Sequence, residues 1–480
     1  MYFKQFYLGC LAHASYLIGS QGEAVVVDPQ RDIDHYIETA AENGLAIKYI
    51  IETHLHADFV SGHRELAART GAEIVFSHRA GATFDHKQVK EGDILKAGSI
   101  ECRILETPGH TLESICILVT DKETSAYPCL VFTGDTLFVG DVGRPDLVGS
   151  LAAGSKEITP QDMASMLYGS LKSKLLNLED DVKVYPAHGA GSLCGKNLSQ
   201  KRSSTIGEQK KFNYALKAKT REEFIEMVCQ DLPEVPQYFP RAVELNKQGA
   251  AHIETIKGQK ALSPAEVSKA AQQGKLILDV RTASLYGAGH IPGSINIGLG
   301  GQFASWAGTL IDHQAEIILV AEDKEAVEEA VVRLARAGHE SVVGYLDGGI
   351  YAWHKEGLAT SSIVQLSVSE LNEILSADTT IKVLDVRRPP EYVSGHVPGA
   401  YNIPLNQLND RIEEVEKQDI TYVICAGGYR SSAATSMLAR QGLKEMVNVM
   451  GGTGAWKNSQ YALETAESKT DSGQSCAQVN

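Results

Sequence analysis

The stretch KYIIETHLHADF, residues 48–59, joins a short apolar strand to a cluster of groups that can bind a metal. Two histidines and an aspartate follow directly after the strand. Further along the chain, other apolar strands end at motifs that carry His110, Asp135 and His188. Active sites of layered α/β proteins gather at such strand ends. Imidazole and carboxylate groups brought together there suit a first-row transition metal.

Length and composition bound the class of protein. The chain has 480 residues, 43% hydrophobic and 22% charged, which is ordinary globular composition. The net charge of −15 disfavours general binding to nucleic acid or to an anionic membrane. No apolar run has membrane-spanning length, no signal-peptide pattern is present, and the eight cysteines are scattered without a CxxC pair. We therefore expect a cytoplasmic protein that binds neither nucleic acid nor membrane.

The C-terminal half contains an internal repeat. LILDVRTASLYGAGHIPGSIN at residues 276–296 matches KVLDVRRPPEYVSGHVPGAYN at residues 382–402. In both copies apolar bursts alternate with helical stretches, which is typical of a parallel sheet covered by helices. The sequence thus predicts a first domain, two copies of one α/β domain and a disordered polar tail, at residues 1–255, 256–360, 361–467 and 468–480 respectively.

The loop CAGGYRSS in the second copy carries the features of a thiol site. Cys425 ends a strand, and Arg430 follows five residues later at the start of a helix. Gly427 and Gly428 permit a tight turn, and successive backbone N–H groups there, through Tyr429, form a nest for an anion. The same field stabilises a thiolate. We expect Cys425 to be a nucleophile and Arg430 to attract an anionic substrate.

The corresponding loop of the first copy reads AEDKEA, residues 321–326. Ala321 and Ala326 stand where the second copy has its cysteine and arginine, and three carboxylates lie between them. This copy has neither nucleophile nor arginine, and its charge opposes an anion. We expect it to be catalytically inactive and to serve in spacing, in forming an interface or in docking the active copy.

The metal motif resembles that of the glyoxalase II-like branch of the metallo-β-lactamase superfamily. The superfamily pattern is HxHxDH, then a histidine, a bridging aspartate and a last histidine. This chain matches it with His54, His56, Asp58, His110, Asp135 and His188. Phe59 stands where the two-metal hydrolases have a histidine. Because phenylalanine cannot bind a metal, a dinuclear hydrolase is disfavoured.

The persulfide dioxygenases of this branch hold a single Fe(II), and the resemblance assigns its ligands to His54, His110 and Asp135. Two histidines and one carboxylate are the ligand set of non-haem Fe(II) oxygenases, and they leave room for a persulfide sulfur and O2. The resemblance implies one Fe(II) per chain and no organic cofactor. Four further residues would orient the ligands or the substrate, namely His56, Asp58, His188 and Asp146.

Two other residues match positions of this family. The segment GDVGRPDL, residues 140–147, resembles the family's loop after the bridging aspartate, and Arg144 in it would steady an anionic persulfide or sulfite. Cys194 lies in a glycine-rich loop and resembles a cysteine of rhodanese-fused members that could receive a sulfane sulfur. A surface salt bridge is the alternative for Arg144, and a buried packing thiol is the alternative for Cys194.

The C-terminal copy resembles rhodanese, a sulfurtransferase whose cysteine carries a persulfide. The whole chain resembles the persulfide dioxygenase–rhodanese fusion proteins of bacterial sulfide detoxification. The implied fold is an α/β multidomain one, an αββα metallo-β-lactamase sandwich followed by two α/β rhodanese domains with parallel sheets. The implied reaction oxidises a low-molecular-weight thiol persulfide, of glutathione or coenzyme A, with O2 to sulfite. Cys425 would then transfer sulfur between sulfite and thiosulfate. The family also suggests a homo-oligomer.

Two other functions stay open at this point. One is a dinuclear zinc thioester hydrolase of the glyoxalase II type, which metal analysis would distinguish. The other is a non-enzymatic sulfur-carrier or scaffold protein in which the domains only dock partners. That protein would take up no O2 with a persulfide substrate. The sequence also leaves open the thiol carrier and the direction of sulfur transfer.

Overall fold

The computed structural model describes residues 1–147, 158–232, 234–415 and 420–465. It divides into two compact units, of which the first comprises residues 1–257 and 332–340 and the second comprises the rest of the chain. The tail at 468–480, which the sequence predicts to be disordered, lies outside the described residues.

The first unit contains two sheets whose strands follow one another along the chain. The first sheet consists of β1 to β6 in order, at Tyr2–Leu8, His13–Ser20, Glu23–Val27, Ala46–Ile51, Glu73–Ser77 and Lys87–Val89. The second sheet consists of β7 to β12 in order, at Ile94–Ala97, Ile100–Glu106, Ile115–Asp121, Leu130–Gly134, Lys183–Pro186 and Ser204–Thr205. Strands β3 and β4 are parallel, as are β10 and β11.

The second unit contains two five-stranded sheets of the same strand order, and every strand pair in them is parallel. The first of these sheets has the strand order β13-β17-β16-β14-β15. In that order its strands lie at Ala261–Leu262, Val342–Leu346, Ile317–Val320, Leu276–Asp279 and Ile295–Asn296. The second sheet has the strand order β18-β22-β21-β19-β20. In that order its strands lie at Val364–Leu366, Met446–Val449, Thr421–Ile424, Val383–Asp385 and Tyr401–Asn402. The repeated order confirms the internal repeat.

The α-helices of the described residues are, from α1 to α16, Asp34–Glu42, His63–Thr70, Pro160–Ser170, Ile206–Phe212, Arg221–Cys229, Phe239–Gln248, Ile253–Ile256, Pro264–Gln272, Ala283–Ala288, Phe303–Leu310, Lys324–Arg336, Gly349–Lys355, Val368–Ala377, Pro389–Val393, Tyr429–Arg440 and Gly452–Asn458. Short sequence signals begin several of them. A capping box joins Thr159 to Asp162 before α3, and another joins Ser263 to Glu266 before α8.

Within the part of the chain that the structure describes, no helix combines the length and the apolar character that crossing a membrane requires.

The core of the first unit lies between its two sheets. Alternate residues of β8, Ile100, Cys102 and Ile104, share one buried cluster with Val25 and Val27 of β3. This alternation follows from the two-residue period of a strand. Helices α1 and α2 cover the outer face of the first sheet, and α3 and α5 cover that of the second. The fold is therefore the predicted αββα sandwich followed by two α/β domains with parallel sheets.

Candidate metal centre and sulfur-transfer loop

Three buried side chains of the first unit meet just beyond the ends of three strands. His54 follows β4, His110 follows β8 and Asp135 follows β10. Their ligand atoms all lie within 4.8 Å of one another. Asp135 Oδ2 is 3.4 Å from His110 Nε2 and 3.8 Å from His54 Nε2. The structure thus brings together the three residues that the sequence predicts as metal ligands.

Hydrogen bonds orient both imidazole rings. His110 Nδ1 lies 2.9 Å from the carbonyl oxygen of Arg144, which can only accept, so Nδ1 is the protonated nitrogen. His54 Nδ1 lies 3.0 Å from Thr53 Oγ1, and that hydroxyl donates its own proton to Asp28 Oδ2 at 2.9 Å. His54 Nδ1 is therefore also protonated. Both rings turn an unprotonated Nε2 toward Asp135, as metal-binding histidines do.

These residues fit a metal ion. Among the described residues, His54 Nε2 and both carboxylate oxygens of Asp135 are buried without a hydrogen-bond partner. Each such group costs about 1–3 kcal/mol when it is left unpaired. Burial lowers the pKa of His110 to about 4 and that of His54 well below its usual value, so both rings are neutral at neutral pH. Neutral imidazoles and a carboxylate converging on one point form a site for a transition metal.

His56 turns away from this triple. Its Nε2 lies 3.2 Å from Asp28 Oδ1 and 3.4 Å from Glu52 Oε2. Burial alone would lower the pKa of His56, but these two carboxylates raise it well above its usual value. His56 is therefore an imidazolium held between two buried acids, and Asp28 also holds Thr53 beside His54.

Asp58 and His188 lie beside the same triple. His188 Nε2 is 3.5 Å from Asp58 Oδ2 and 3.5 Å from Asp135 Oδ1. With His56 they form a second group whose ligand atoms lie within 4.8 Å of one another. The ring of Phe59 packs against His56, with centroids 4.4 Å apart. An apolar ring thus occupies a position beside this second group.

Sequence reasoning missed three residues around the centre. His13 in β2 is fully buried 4.0 Å from the Phe59 ring, and among the described residues neither of its ring nitrogens has a hydrogen-bond partner. A single histidine in an apolar strand carries no sequence signal for function. Asp28 and Glu52 follow β3 and β4 directly, and the strand-end argument that found His54 could have found them too.

Arg144 and Cys194 also belong to this region. Arg144 donates two hydrogen bonds to the Asp146 carboxylate, at 2.6 and 2.7 Å, and a third to the carbonyl of Leu193 at 3.2 Å. Cys194 is buried, and its Sγ lies within 4.8 Å of ligand atoms of Asp135 and His188. Burial, together with the charges of nearby acids, raises the pKa of the Cys194 thiol well above its usual value. Arg144 therefore holds the loop that brings Cys194 to the centre.

In the second unit, the loop after β21 surrounds the sulfur of Cys425. The Gly428 N–H donates to Cys425 Sγ at 3.1 Å, and Ser431 Oγ lies 3.3 Å from it. Gly428 has φ of 94°, a left-handed conformation that glycine adopts without strain, and it caps α15. Ser431 in turn donates to Asn448 Oδ1 at 2.5 Å. The loop has the turn that the glycines predict.

Arg430 is paired within its own domain. Its two terminal nitrogens each donate to one oxygen of Glu391 at 2.7 Å. Partial burial would raise the pKa of Glu391, but Arg430 lowers it overall. The positive charge that the sequence predicts for anion attraction is thus shared with a carboxylate. Glu391 lies in the repeated EYVSGH motif, where the first copy has Leu285, and no signal in the sequence linked it to Arg430.

In the first copy, an aspartate of the corresponding loop caps the helix that follows. Asp323 Oδ1 accepts from the backbone N–H of Ala326 at 2.8 Å in the first turn of α11. A capping carboxylate satisfies N–H groups that would otherwise be available to an anion.

Comparison with known proteins identifies both parts of the chain. Residues 8–188 match the metallo-beta-lactamase superfamily, and residues 263–356 and 367–459 match the rhodanese-like domain. The mitochondrial persulfide dioxygenase ETHE1 of Mus musculus is 30% identical over 237 residues, which are 48% of this chain and 82% of that protein. A hydroxyacylglutathione hydrolase of Polaromonas sp. is 29% identical over 268 residues, which are 49% of this chain and 94% of that protein.

Among solved structures, a metallo-beta-lactamase from Staphylococcus aureus subsp. aureus COL is 35% identical, with a TM-score of 0.63. The match covers 72% of this chain and 98% of that one.

The chain therefore belongs to the metallo-β-lactamase superfamily. Within it, the first domain belongs to the ETHE1-like, glyoxalase II-like group and is followed by two rhodanese-like domains, which confirms the resemblance found in the sequence. These relatives and the rhodanese-like domains support an enzymatic role in sulfur metabolism.

Proposed function

We propose that the first domain is a non-haem Fe(II) dioxygenase that oxidises low-molecular-weight thiol persulfides. One persulfide, one O2 and one water would give one thiol and one sulfite. The observation that carries the proposal is the buried triple of His54, His110 and Asp135, with two Nε2 atoms turned toward one carboxylate. The similarity to persulfide dioxygenases supports the choice of substrate.

The chain's own residues would position the reactants. Fe(II) held by the triple would supply free coordination positions for a persulfide sulfur and O2. The Arg144 carbonyl and the Thr53–Asp28 pair hold the two imidazole rings in the orientation that binding requires. After loss of its thiol proton, Cys194 could attack the outer sulfur of the thiol persulfide beside the centre, with the S–S bond breaking and the thiol leaving with the bonding electron pair. Arg144 could steady an anionic product only in competition with Asp146.

The last domain would move sulfur between sulfite and thiosulfate. The Cys425 thiolate attacks the outer sulfur of thiosulfate, the S–S bond breaks, and sulfite leaves with the bonding electron pair. In the reverse direction, the Cys425 thiolate takes the outer sulfur of a second thiol persulfide, whose thiol leaves. The Cys425 persulfide then gives this sulfur to sulfite and returns to the thiolate. The Gly428 N–H, which already donates to Sγ, stabilises the charged sulfur in both directions.

A second candidate is a dinuclear thioester hydrolase. The group of His56, Asp58 and His188 beside Asp135 favours it, as do the hydroxyacylglutathione hydrolase relatives. Phe59 and the pairing of His56 with Asp28 and Glu52 argue against a second metal. Purely non-enzymatic docking would not explain the buried triple.

An oxygen electrode and metal analysis decide between these functions. Iron-loaded protein is tested with glutathione persulfide and coenzyme A persulfide, and with a hydroxyacylglutathione thioester under nitrogen. We expect one iron per chain, persulfide-dependent O2 uptake and no hydrolysis. Two zinc ions per chain with thioester hydrolysis under nitrogen would replace the dioxygenase by the hydrolase. No turnover in either assay would leave the carrier or scaffold function.

The same proposal includes the domain limits, the location and the assembly. We propose domains at 1–255, 256–360 and 361–467, a cytoplasmic location and a homo-oligomer. Limited proteolysis tests the first, cell fractionation the second and light scattering the third.

A further inference from the structure

Helix α15, which follows Cys425, is buried on all sides. Every residue from Ser431 to Leu438 is buried, although the segment reads SSAATSML and is rich in small polar residues. A helix with no solvent face must pack against neighbours all round. Its own sheet covers one side, and the first, inactive copy of the repeat covers another.

Three hydrogen bonds join the first copy to the first two turns of this helix. Ser432 Oγ donates to Asn296 Oδ1 at 2.6 Å, and the Asn296 backbone N–H donates to Ser436 Oγ at 3.0 Å. Tyr429 Oη donates to the carbonyl of Gly298 at 2.8 Å. Asn296, Ser432 and Ser436 are all buried, so these bonds are shielded from competition by water.

The first copy holds Asn296 firmly in place. Its Nδ2 donates to the carbonyls of Asp279 and Arg281, both at 3.0 Å. These two bonds fix the amide orientation and leave Oδ1 as the acceptor for Ser432. Asn402 of the second copy makes the same pair of bonds, to the carbonyls of Asp385 and Arg387. The inactive copy thus has the same pair of asparagine hydrogen bonds as the second copy, although its loop has neither the cysteine nor the arginine.

Two of the helix side chains that contact the first copy lie one residue from a group that touches the Cys425 sulfur. Tyr429 follows Gly428, whose N–H donates to Sγ. Ser432 follows Ser431, whose Oγ lies 3.3 Å from Sγ. A shift of this first turn would therefore move both groups relative to the sulfur.

We propose that Asn296 and the Gly298 carbonyl of the inactive copy are positioning groups of the sulfur-transfer site, which set the first turn of α15 around Cys425. This inference rests on the proposed function only in that Cys425 is the transferring thiol. It gives the inactive copy a specific role, as a fixed support for the loop of its neighbour.

Matched substitutions on one helix test the proposal in the full-length protein. Ser432→Ala and Tyr429→Phe each remove one bond near Cys425. Arg440→Ala removes a bond between the last turn and the same copy, because Arg440 donates to the Gly293 carbonyl at 2.8 Å. The rate of Cys425 alkylation by iodoacetamide is followed by peptide mass spectrometry, and kcat and KM are measured for transfer from thiosulfate to cyanide. Thermal unfolding of each variant is the stability control.

We expect Ser432→Ala and Tyr429→Phe to lower the alkylation rate and kcat about tenfold, because the Gly428 N–H that donates to the sulfur is displaced. KM for thiosulfate should change less than twofold, since the substituted side chains face the other copy. Arg440→Ala should leave both rates unchanged. The effects of Asn296→Ala and Ser432→Ala should not be additive, because both remove the bond from Ser432 to Asn296, although Asn296→Ala also removes the two bonds from its amide to its own copy.

Two results would overturn the positioning role. One is alkylation of both Ser432→Ala and Tyr429→Phe within twofold of the wild-type rate. The other is an equal loss of the alkylation rate in Arg440→Ala. The proposed function fails separately, if the wild-type protein transfers no sulfur to cyanide. The alkylation rates still test the positioning role in that case, because alkylation by iodoacetamide needs no sulfur donor.

Discussion

The orientation of two imidazole rings decides what the first domain can bind. A backbone carbonyl holds the Nδ1 proton of His110, and a threonine already committed to Asp28 holds that of His54. Both lone pairs then face a carboxylate that has no hydrogen-bond partner among the described residues. A buried arrangement of acceptors facing one another is unfavourable unless a cation lies between them.

Replacing Asp135 by asparagine tests this arrangement. Asp135→Asn keeps the shape but removes the anionic ligand, so bound iron should fall about tenfold or more, and O2 uptake with it. Iron per chain is measured after gel filtration of iron-loaded protein. Asp180→Asn is the matched control, because Asp180 is exposed and pairs with Lys210, and it should keep its iron. Full iron in Asp135→Asn would rule out this ligand set.

The pair of Arg430 and Glu391 leads to a second residue-scale prediction. Glu391→Gln leaves the guanidinium uncompensated beside the Cys425 loop. KM for thiosulfate should fall about threefold, as expected for one partly exposed charge acting on an anion. Glu413→Gln, an exposed acid of the same domain, changes the net charge equally and should leave KM unaltered. An unchanged KM in Glu391→Gln would remove Arg430 from substrate attraction.

At the scale of elements, strand ends were the most informative part of the sequence. The strand ends predicted a cluster that contains His54, His110 and Asp135, because periodicity locates where β4, β8 and β10 end. The resemblance to the dioxygenases then selected these three as the ligands. The contact of Ser432 with Asn296 could not be predicted, since it depends on how two copies of the repeat pack. Glu391 and Arg430 pair across 39 residues, and the pairing of two charges leaves no periodic signal.

The two copies differ in how the helix after their loop begins. Asp323 caps the first turn of α11 with its carboxylate, whereas in the second copy Gly428 begins α15 without a side-chain cap and donates its N–H to Cys425 Sγ. Asp323→Ala should destabilise the protein by about 1 kcal/mol, the usual cost of a lost N-cap. The midpoint of urea unfolding measures this loss. Glu322→Ala, which changes the neighbouring exposed acid, should stay within about 0.5 kcal/mol of the wild type.

At the scale of the whole molecule, one chain joins two sites whose proposed reactions are linked by sulfite. Sulfite is the proposed product of the first site, and it is also the acceptor of sulfur at Cys425. Cys425→Ser removes the sulfur carrier but leaves the metal centre unchanged, because serine cannot form a persulfide. O2 uptake with glutathione persulfide should therefore stay within twofold of the wild type, while the product changes from thiosulfate to sulfite. Ion chromatography of the products measures the ratio. Ala321→Ser, at the matching position of the first copy, should leave that ratio unaltered. An unchanged ratio in Cys425→Ser would show that Cys425 does not act on the product of the metal centre.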